Sequence, residues 1–398
     1  MRGLGKTVEG LAKLRREMEG NLKGFSNGAP FGQAGGAGTE LATTTGFGTN
    51  PGSLGMRTYV PARRAPSPAL VVVLHGCTQD AAGYDRGAGW SVLADRYGFV
   101  LLYPEQSRAN NPNGCFNWFQ AADIRRGSGE ALSIRQMIDR AVTDHGVDPG
   151  RVFITGLSAG GAMAAAMLAA YPEVFAAGAV IAGLPAGAAG NVQEALETMA
   201  RPRSRSAREW GDLVRRGNSH PGPWPRLSVW HGSADAVVRP NNAVELLKQW
   251  TDLHGLAETP SGRTTVGGFA REVWRDATGR EVIEAFTIPG MGHGTPLAVG
   301  TGEQQGGNAG AFMLDVGISS SYHVAAFFGL TGQESSAGIA AAPALSTVEP
   351  DILPPVKDRP AGTEAPIYTG PVPLPDTLPA EVLGVIQKAF RAAGLVKG

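Results

Sequence analysis

The chain has 398 residues, of which 42% are hydrophobic, and it carries no formal net charge at pH 7. This length accommodates one large α/β domain with additional segments, or two domains. A neutral chain has no electrostatic attraction to nucleic acid or to an anionic membrane surface, and two cysteines are too few for a disulfide-scaffolded fold.

The two ends of the chain differ in composition from its middle. Residues 1–39 predict an amphipathic helix followed by a flexible Gly- and Ala-rich linker. Residues 333–377 predict an extended Pro- and Ala-rich linker, and residues 378–398 predict a second amphipathic helix. The sequence shows no secretory signal and no run of transmembrane length, which predicts a cytoplasmic protein. A secreted protein whose signal has been removed is the alternative.

Residues 40–332 alternate between strand and helix patterns, which predicts one α/β domain with a mostly parallel central sheet flanked by helices. A turn-rich stretch between the first two strands predicts a hairpin, and later strands are short apolar runs typical of buried parallel strands. The predicted strands lie near residues 41–46, 54–60, 70–74, 99–103, 151–155, 179–181, 227–230, 269–274 and 282–288. The predicted helices lie near residues 90–97, 130–145, 162–170, 192–200, 240–254 and 319–330.

One connection in this domain, residues 183–225, is too long for a simple crossover between neighbouring strands. It contains a helix pattern and an Arg-rich stretch at residues 201–216, whose arginines we expect to face solvent. We predict that this insertion forms a small cap over the edge of the sheet.

The stretch 151–161 has the pattern of a strand, a sharp turn and a helix around the sequence Gly-Leu-Ser-Ala-Gly. Such a turn forces the central serine into a strained backbone conformation and needs glycines where a Cβ would clash. Gly156 and Gly160 meet that need on either side of Ser158. Ser158 is therefore the predicted nucleophile.

A serine hydroxyl needs a base to take its proton, and the base needs an acid to orient it. In α/β-hydrolases the acid and then the histidine follow the serine, each on a loop after a strand. Asp235 and His293 fit that order and placement. Taken singly, Asp235 also fits a turn-capping residue and His293 a surface histidine, but together they predict the triad Ser158, Asp235 and His293. We expect His231 to support the Asp235 loop.

Attack by a serine nucleophile on a carbonyl group also needs two backbone N–H groups as an oxyanion hole. Ala159 follows the nucleophile, and Cys77 lies in the loop after the strand at residues 70–74, so these two residues are the predicted donors. The sequence shows no metal-ligand spacing and no dinucleotide fingerprint, so we expect neither a metal nor a cofactor.

Five short motifs occur in an order that resembles the polyhydroxybutyrate depolymerase family of esterases, which also includes feruloyl and acetylxylan esterases. They are residues 74–79, 115–119, 156–161, 231–235 and 292–293. The resemblance implies an α/β-hydrolase fold and hydrolysis of short-chain polyhydroxyalkanoate or aromatic esters by Ser158, Asp235 and His293.

The same resemblance implies a disulfide between Cys77 and Cys115, with Trp118 near the acyl site and Asn117 and His75 as further substrate-binding residues. The alternative is two reduced, buried cysteines that pack as small hydrophobic side chains, which a cytoplasmic location favours.

The sequence thus predicts a serine carboxylesterase that hydrolyses poly(3-hydroxybutyrate)-type esters through an acyl-enzyme intermediate. A feruloyl-type esterase acting on plant phenolic esters is the alternative enzyme. A granule-surface or scaffold protein that kept the fold is a third hypothesis, which the intact triad and oxyanion motifs disfavour. We expect a polyester or small ester as partner, no nucleic acid and no transmembrane segment, and adsorption to hydrophobic polymer through the terminal helices.

Overall fold

The structure, a computed structural model, describes residues 40–332. Its strands are β1 (Ala42–Thr44), β2 (Gly55–Tyr59), β3 (Leu70–Leu74), β4 (Val100–Glu105), β5 (Val152–Leu157), β6 (Ala177–Ile181), β7 (Arg226–Gly232), β8 (Gly262–Val266), β9 (Phe269–Arg275), β10 (Glu281–Ile288), β11 (Thr295–Leu297) and β12 (Met313–Asp315). Its helices are α1 (Ala81–Ala88), α2 (Trp90–Tyr97), α3 (Ala121–Ile124), α4 (Gly129–His145), α5 (Ala159–Ala170), α6 (Val192–Ala200), α7 (Ala207–Gly217), α8 (Asn241–Leu253) and α9 (Ser320–Phe327). The predicted terminal segments, residues 1–39, 333–377 and 378–398, lie outside the described residues.

Within residues 40–332, ten strands form one sheet in the order β1-β2-β4-β3-β5-β6-β7-β10-β9-β8. The six central strands from β4 to β10 are parallel, and both edges are antiparallel. A separate ribbon pairs β11 with β12 in parallel. The predicted architecture, a mostly parallel sheet with an antiparallel start, is confirmed.

Helices cover both faces of the sheet because its central strands are apolar on both sides. In β3, Val71 and Val73 point into a core shared with α1, α2 and α9, whereas Leu70, Val72 and Leu74 point into a core shared with α4, α5 and α8. This alternation follows from the two-residue repeat of a strand. Helix α5 is built mainly of alanine and glycine, and all of its residues except Ala169 are buried. Its small side chains let it lie close to the sheet behind the sharp turn.

Helix α1 has no counterpart among the predicted elements. Its apolar pattern is interrupted by Gly83 and Gly87, which have low helix propensity and hide it from a periodicity search. It forms because the Asp80 side chain caps its first turn by accepting a hydrogen bond from the Gly83 N–H. Strand β8 and the β11–β12 ribbon were also not predicted, since strands of three to five residues carry little periodic signal.

The insertion at residues 183–225 contains α6 and α7. Helix α7 packs against α8, where Trp210 Nε1 donates a hydrogen bond to Glu245 at 2.6 Å. The end of α6 meets the loop after β7, because the Arg239 N–H donates to the Met199 carbonyl at 2.9 Å. The insertion is thus attached to the helical layer and reaches the carboxyl end of β7. One of its arginines, Arg215, pairs with Asp252 of α8.

Candidate active site

Ser158 sits at the turn between β5 and α5 with φ 57° and ψ −116°. This is a strained conformation for a residue with a side chain. The glycines around it are required by close backbone approach. A Cβ on Gly156 would lie 2.4 Å from the Gly160 carbonyl oxygen, and one on Gly160 would lie 2.4 Å from the Leu74 carbonyl oxygen. The turn therefore has the geometry that the sequence pattern predicts.

Backbone hydrogen bonds connect the carboxyl ends of the strands that carry the predicted catalytic residues. They run from Ser158 N to Ile181 O at 2.9 Å, from Ala182 N to Trp230 O at 2.8 Å and from Ser233 N to Ile288 O at 2.9 Å. The loops after β5, β6, β7 and β10 consequently form one continuous edge. Ser158, Asp235 and His293 all lie on that edge.

Asp235 and His293 are hydrogen-bonded, with 2.7 Å between Asp235 Oδ2 and His293 Nδ1. A carboxylate only accepts hydrogen bonds, so Nδ1 carries the proton and Nε2 is left as the basic nitrogen. The other carboxylate oxygen, Oδ1, accepts from the N–H groups of Val237 at 2.8 Å and Val238 at 2.9 Å. The buried carboxylate is therefore held on both oxygens.

A second histidine reaches the same carboxylate. His231 Nε2 lies 2.8 Å from the Val238 carbonyl oxygen and 3.3 Å from Asp235 Oδ2, so its proton is on Nε2 and points at both acceptors. Burial raises the pKa of the Asp235 carboxyl, but hydrogen bonds from His231 and His293 and electrostatic attraction to both rings together lower it by more. The pKa therefore stays below the usual range, and Asp235 is ionised. His231 supports the Asp235 loop as expected, and its direct contact with the carboxylate was not predicted.

The loop after β3 leaves the backbone N–H of Cys77 without an acceptor among the residues that the structure describes. The N–H groups of Gly76, Thr78 and Gln79 donate to Gln79 Oε1, Asn113 O and Gly76 O respectively. Among the described residues, no acceptor bonds to the Cys77 N–H. Ala159 is the first residue of α5, where an N–H has no partner within the helix. Neither predicted oxyanion donor is therefore bonded to an acceptor within the part of the chain that the structure describes.

A disulfide joins Cys77 to Cys115, with 4.3 Å between their Cα atoms. It ties the loop after β3 to the long loop between β4 and α4. The hydrogen bond from Thr78 N to Asn113 O, at 2.7 Å, joins the same two loops. The bridge implied by the family resemblance is present, and the alternative of two reduced cysteines does not hold.

The three predicted substrate-binding residues differ in their contacts with the rest of the protein. His75 is buried, and both ring nitrogens bond to backbone: Nε2 accepts from Gln106 N at 3.1 Å, and Nδ1 donates to Gly76 O at 2.8 Å. Burial lowers the pKa of His75, which keeps it neutral. No nitrogen of His75 remains for a substrate. Trp118 is 5% exposed and packs edge-on against Phe119.

Asn117 belongs to a buried polar network that no sequence pattern predicted. Its backbone N–H donates to Glu130 Oε2 at 2.9 Å, and Gln106 Nε2 donates to Glu130 Oε1. Glu130 lies in the first turn of α4, and burial raises its pKa to about 8. Since Gln106 also holds His75, this network supports the loops on either side of the disulfide. A glutamate in the first turn of a helix is usually expected to be an exposed charge. The supporting role of Glu130 follows from its burial.

Comparison with known proteins identifies the family. The profile of the family described as "Esterase PHB depolymerase" matches residues 55–274. The chain belongs to this family. The esterase is 48% identical to poly(3-hydroxyalkanoate) depolymerase C of Paucimonas lemoignei over 293 residues, 73% of this chain and 70% of the relative. It is 33% identical to feruloyl esterase B of Talaromyces funiculosus over 269 residues, 65% of this chain and 74% of the relative.

A solved structure with a similar fold is acetyl xylan esterase from Aspergillus awamori. The TM-score is 0.58 at 29% identity, over 64% of this chain and 94% of that one. The esterase therefore has the α/β-hydrolase fold and is a hydrolase of carboxylic esters. In the part of the chain that the structure describes, no helix is both long and apolar enough to span a membrane.

Proposed function

We propose that the esterase hydrolyses short-chain polyhydroxyalkanoate esters of the poly(3-hydroxybutyrate) type, with Ser158, Asp235 and His293 as its catalytic triad. The observation that carries the assignment is the 2.7 Å hydrogen bond between Asp235 and His293 on the strand edge that bears the strained Ser158. The 48% identity to poly(3-hydroxyalkanoate) depolymerase C supports the substrate class.

The reaction follows from the protonation state of His293. With its proton on Nδ1 bound to Asp235, Nε2 takes the proton of the Ser158 hydroxyl as Oγ attacks the ester carbonyl carbon. The negative charge on the carbonyl oxygen is stabilised by the N–H groups of Cys77 and Ala159. His293 then passes its proton to the departing alcohol, and water attacks the acyl-enzyme by the same steps to release the acid.

We propose fewer substrate-contacting residues than the sequence analysis predicts. Trp118 is retained as an apolar side chain near the acyl site, as the family resemblance implies. His75 and Asn117 are proposed to hold the surrounding loops instead. Both nitrogens of His75 bond to backbone, the Asn117 backbone N–H donates to Glu130, and the Asn117 Oδ1 accepts from Asn111 Nδ2.

Feruloyl-type esterase activity is the second candidate, because feruloyl esterase B is a relative at 33% identity. Hydroxybutyrate oligomers and methyl ferulate, assayed side by side, decide between the two. We expect a higher kcat/KM for the oligomers. A preference for methyl ferulate would overturn the proposed substrate class and leave the triad untouched.

Replacing the proposed nucleophile tests the enzyme assignment itself. We expect Ser158→Ala to lower kcat on a p-nitrophenyl ester by roughly 10⁴–10⁶-fold, because the residues of a triad act as a unit. The melting temperature should stay close to that of the wild type. A variant that keeps wild-type turnover would exclude Ser158 as nucleophile, whereas a wild-type protein that does not hydrolyse the ester would favour the scaffold hypothesis.

The compartment and the surface partner are also proposed. A disulfide between Cys77 and Cys115 favours an oxidising compartment, so we propose the secreted alternative over the cytoplasmic expectation. Thiol alkylation of the protein in cell fractions tests this, since a cytoplasmic form would react at both cysteines. Adsorption to a hydrophobic polymer through the terminal segments remains a proposal.

A further inference from the structure

The segment around Phe312 lies beside the loop that carries His293. Strands β11 and β12 pair in parallel with Thr295 opposite Met313, which brings Phe312 back beside Gly294. The Thr295 N–H donates a hydrogen bond to the Phe312 carbonyl oxygen at 2.8 Å. The Phe312 ring packs against the His293 imidazole at nearly a right angle, with 5.9 Å between the ring centroids.

Phe312 holds this place in a strained backbone conformation. Its φ is 60°, in the left-handed region that is unfavourable for an aromatic residue. The adjoining backbone is also tightly packed, because a Cβ on Gly294 would lie 2.7 Å from the Phe312 carbonyl oxygen. Strain of this kind persists only where the surrounding structure imposes it, and it concentrates at functional sites.

Contacts with α1 hold the ribbon and the loop that carry Phe312. Asn308, in the loop between β11 and β12, donates through its backbone N–H to Gly87 O and through Nδ2 to Arg86 O, both at 3.0 Å. The hydroxyls of Tyr84 and Thr295 lie 3.2 Å apart and are buried. The ribbon and its loop thus extend from the His293 loop to the helix that follows the Cys77 loop.

We propose that Phe312 is a positioning residue for His293, an inference that rests on the proposed triad. The hydrogen bond from Nδ1 to Asp235 fixes one atom of the imidazole, and a single hydrogen bond does not by itself prevent rotation of the ring about it. An aromatic ring packed against the imidazole restrains this rotation and keeps Nε2 directed at the substrate side. The strained backbone fixes the Phe312 ring in turn.

Three variants of the full-length protein distinguish the effect of the Phe312 ring from the effect of its strained backbone. Phe312→Ala and Phe312→Gly both delete the ring, and only Phe312→Gly also relieves the strain. We expect both to lower kcat on a p-nitrophenyl ester by about 10–100-fold with little change in KM, the cost of a misplaced catalytic group. Phe312→Tyr keeps the ring and should keep near wild-type kcat. Full activity in Phe312→Gly would overturn the proposal.

A double-mutant cycle shows whether the effect passes through the histidine. We expect Phe312→Ala to lower the residual rate of His293→Ala no further, because the group that it positions is gone. If Phe312→Ala instead lowers the rate of His293→Ala by the same factor as it lowers the wild-type rate, Phe312 acts independently of His293. That result would overturn the positioning role. The cycle compares rates of folded protein, so a lowered melting temperature with unchanged kcat also counts against the proposal.

Two controls distinguish a failure of the proposed positioning role from a failure of the proposed triad. Phe47→Ala removes another half-buried phenylalanine, which lies beside Gln136 and Arg140 of α4, and should leave kcat unchanged. Ser158→Ala should be inactive. Wild-type turnover in the Phe312 variants with an inactive Ser158→Ala overturns the positioning role alone. An active Ser158→Ala overturns the proposed triad and the positioning role with it.

Discussion

At the scale of single residues, Gly160 joins the two halves of the proposed oxyanion hole. It follows Ala159 in α5, and its missing Cβ leaves room for the carbonyl oxygens of Leu74 and His75, at 2.4 and 2.5 Å from the position a Cβ would take. Real Cβ atoms do not approach backbone this closely, so any side chain here pushes β3 and α5 apart. We expect this contact to set the distance between the Cys77 and Ala159 N–H groups.

We expect Gly160→Ala to lower kcat by roughly 10²–10³-fold, the cost of a lost or displaced oxyanion donor. Stability should also fall, since the colliding atoms are backbone and cannot rotate away. Gly217→Ala, at the open end of α7, is the matched control and should change neither kcat nor the urea midpoint. A Gly160→Ala variant with unchanged kcat would show that this contact does not set the donor geometry.

Ionisation of Asp235 makes the stability of the protein depend on pH in the acid range. Because its pKa is lower in the folded protein than in the unfolded chain, its contribution to the free energy of unfolding is present above the unfolded pKa of about 3.9 and is lost as the pH falls. Asp235→Asn should therefore be less stable than the wild type near about pH 5, and the difference should shrink towards about pH 2.

Urea denaturation of both proteins across this range measures the effect. Asp139→Asn changes an exposed carboxylate on α4 and serves as the control, with a small difference at every pH. A difference between wild type and Asp235→Asn that stays constant with pH would contradict a depressed pKa at this residue.

At the scale of elements, the loop after β3 is held by several independent contacts. The disulfide joins it to the loop between β4 and α4, and the bond from Thr78 N to Asn113 O joins the same loops. His75 at its start is held by Gln106, which in turn bonds to the buried Glu130. The disulfide restricts the unfolded chain, whereas the hydrogen bonds maintain the folded geometry.

Removal of the disulfide should therefore affect stability more than catalysis. With a sequence separation of 38 between its cysteines, chain entropy predicts that Cys115→Ser lowers the free energy of unfolding by about 3–4 kcal/mol. The loss in kcat should be smaller than the roughly 10²–10³-fold cost of a lost oxyanion donor, because the hydrogen bonds still hold the loop.

Reduction of the wild type with dithiothreitol should reproduce both effects, and the reductant should not change Cys115→Ser further. If kcat instead falls by the full cost of an oxyanion donor in protein that remains folded, the disulfide alone positions Cys77.

At the scale of the whole molecule, residues 40–332 contain both cores and every residue of the proposed site. A protein of these residues should fold and hydrolyse a p-nitrophenyl ester with a kcat close to that of the full chain. Ester hydrolysis measured on both proteins tests this, and a large loss in the trimmed form would assign the terminal segments a part in folding or catalysis.

The same pair of proteins tests adsorption. Both are given the Ser158→Ala substitution, so that hydrolysis does not erode the surface, and are sedimented with poly(3-hydroxybutyrate) particles. We expect the full chain to bind more than residues 40–332. Equal binding would exclude the terminal segments as anchors.

The sequence by itself determined the class of fold and the positions of the proposed catalytic residues. Strand alternation, the glycines at the turn of Ser158 and the order in which Asp235 and His293 follow are local patterns or chain-order patterns, which are readable without coordinates. The hydrogen bond between Asp235 and His293 agrees with that order. The disulfide agrees with the family resemblance.

Only the tertiary structure decided which other residues meet the site. The approach of His231 to Asp235, the burial of Glu130 and the return of Phe312 to His293 depend on contacts between segments that no local periodicity encodes. Phe312 is the clearest case, because its position is set by two three-residue strands and by a loop that docks on α1. Such short strands exist only through their pairing, so their consequences for the site appear only once the chain has folded.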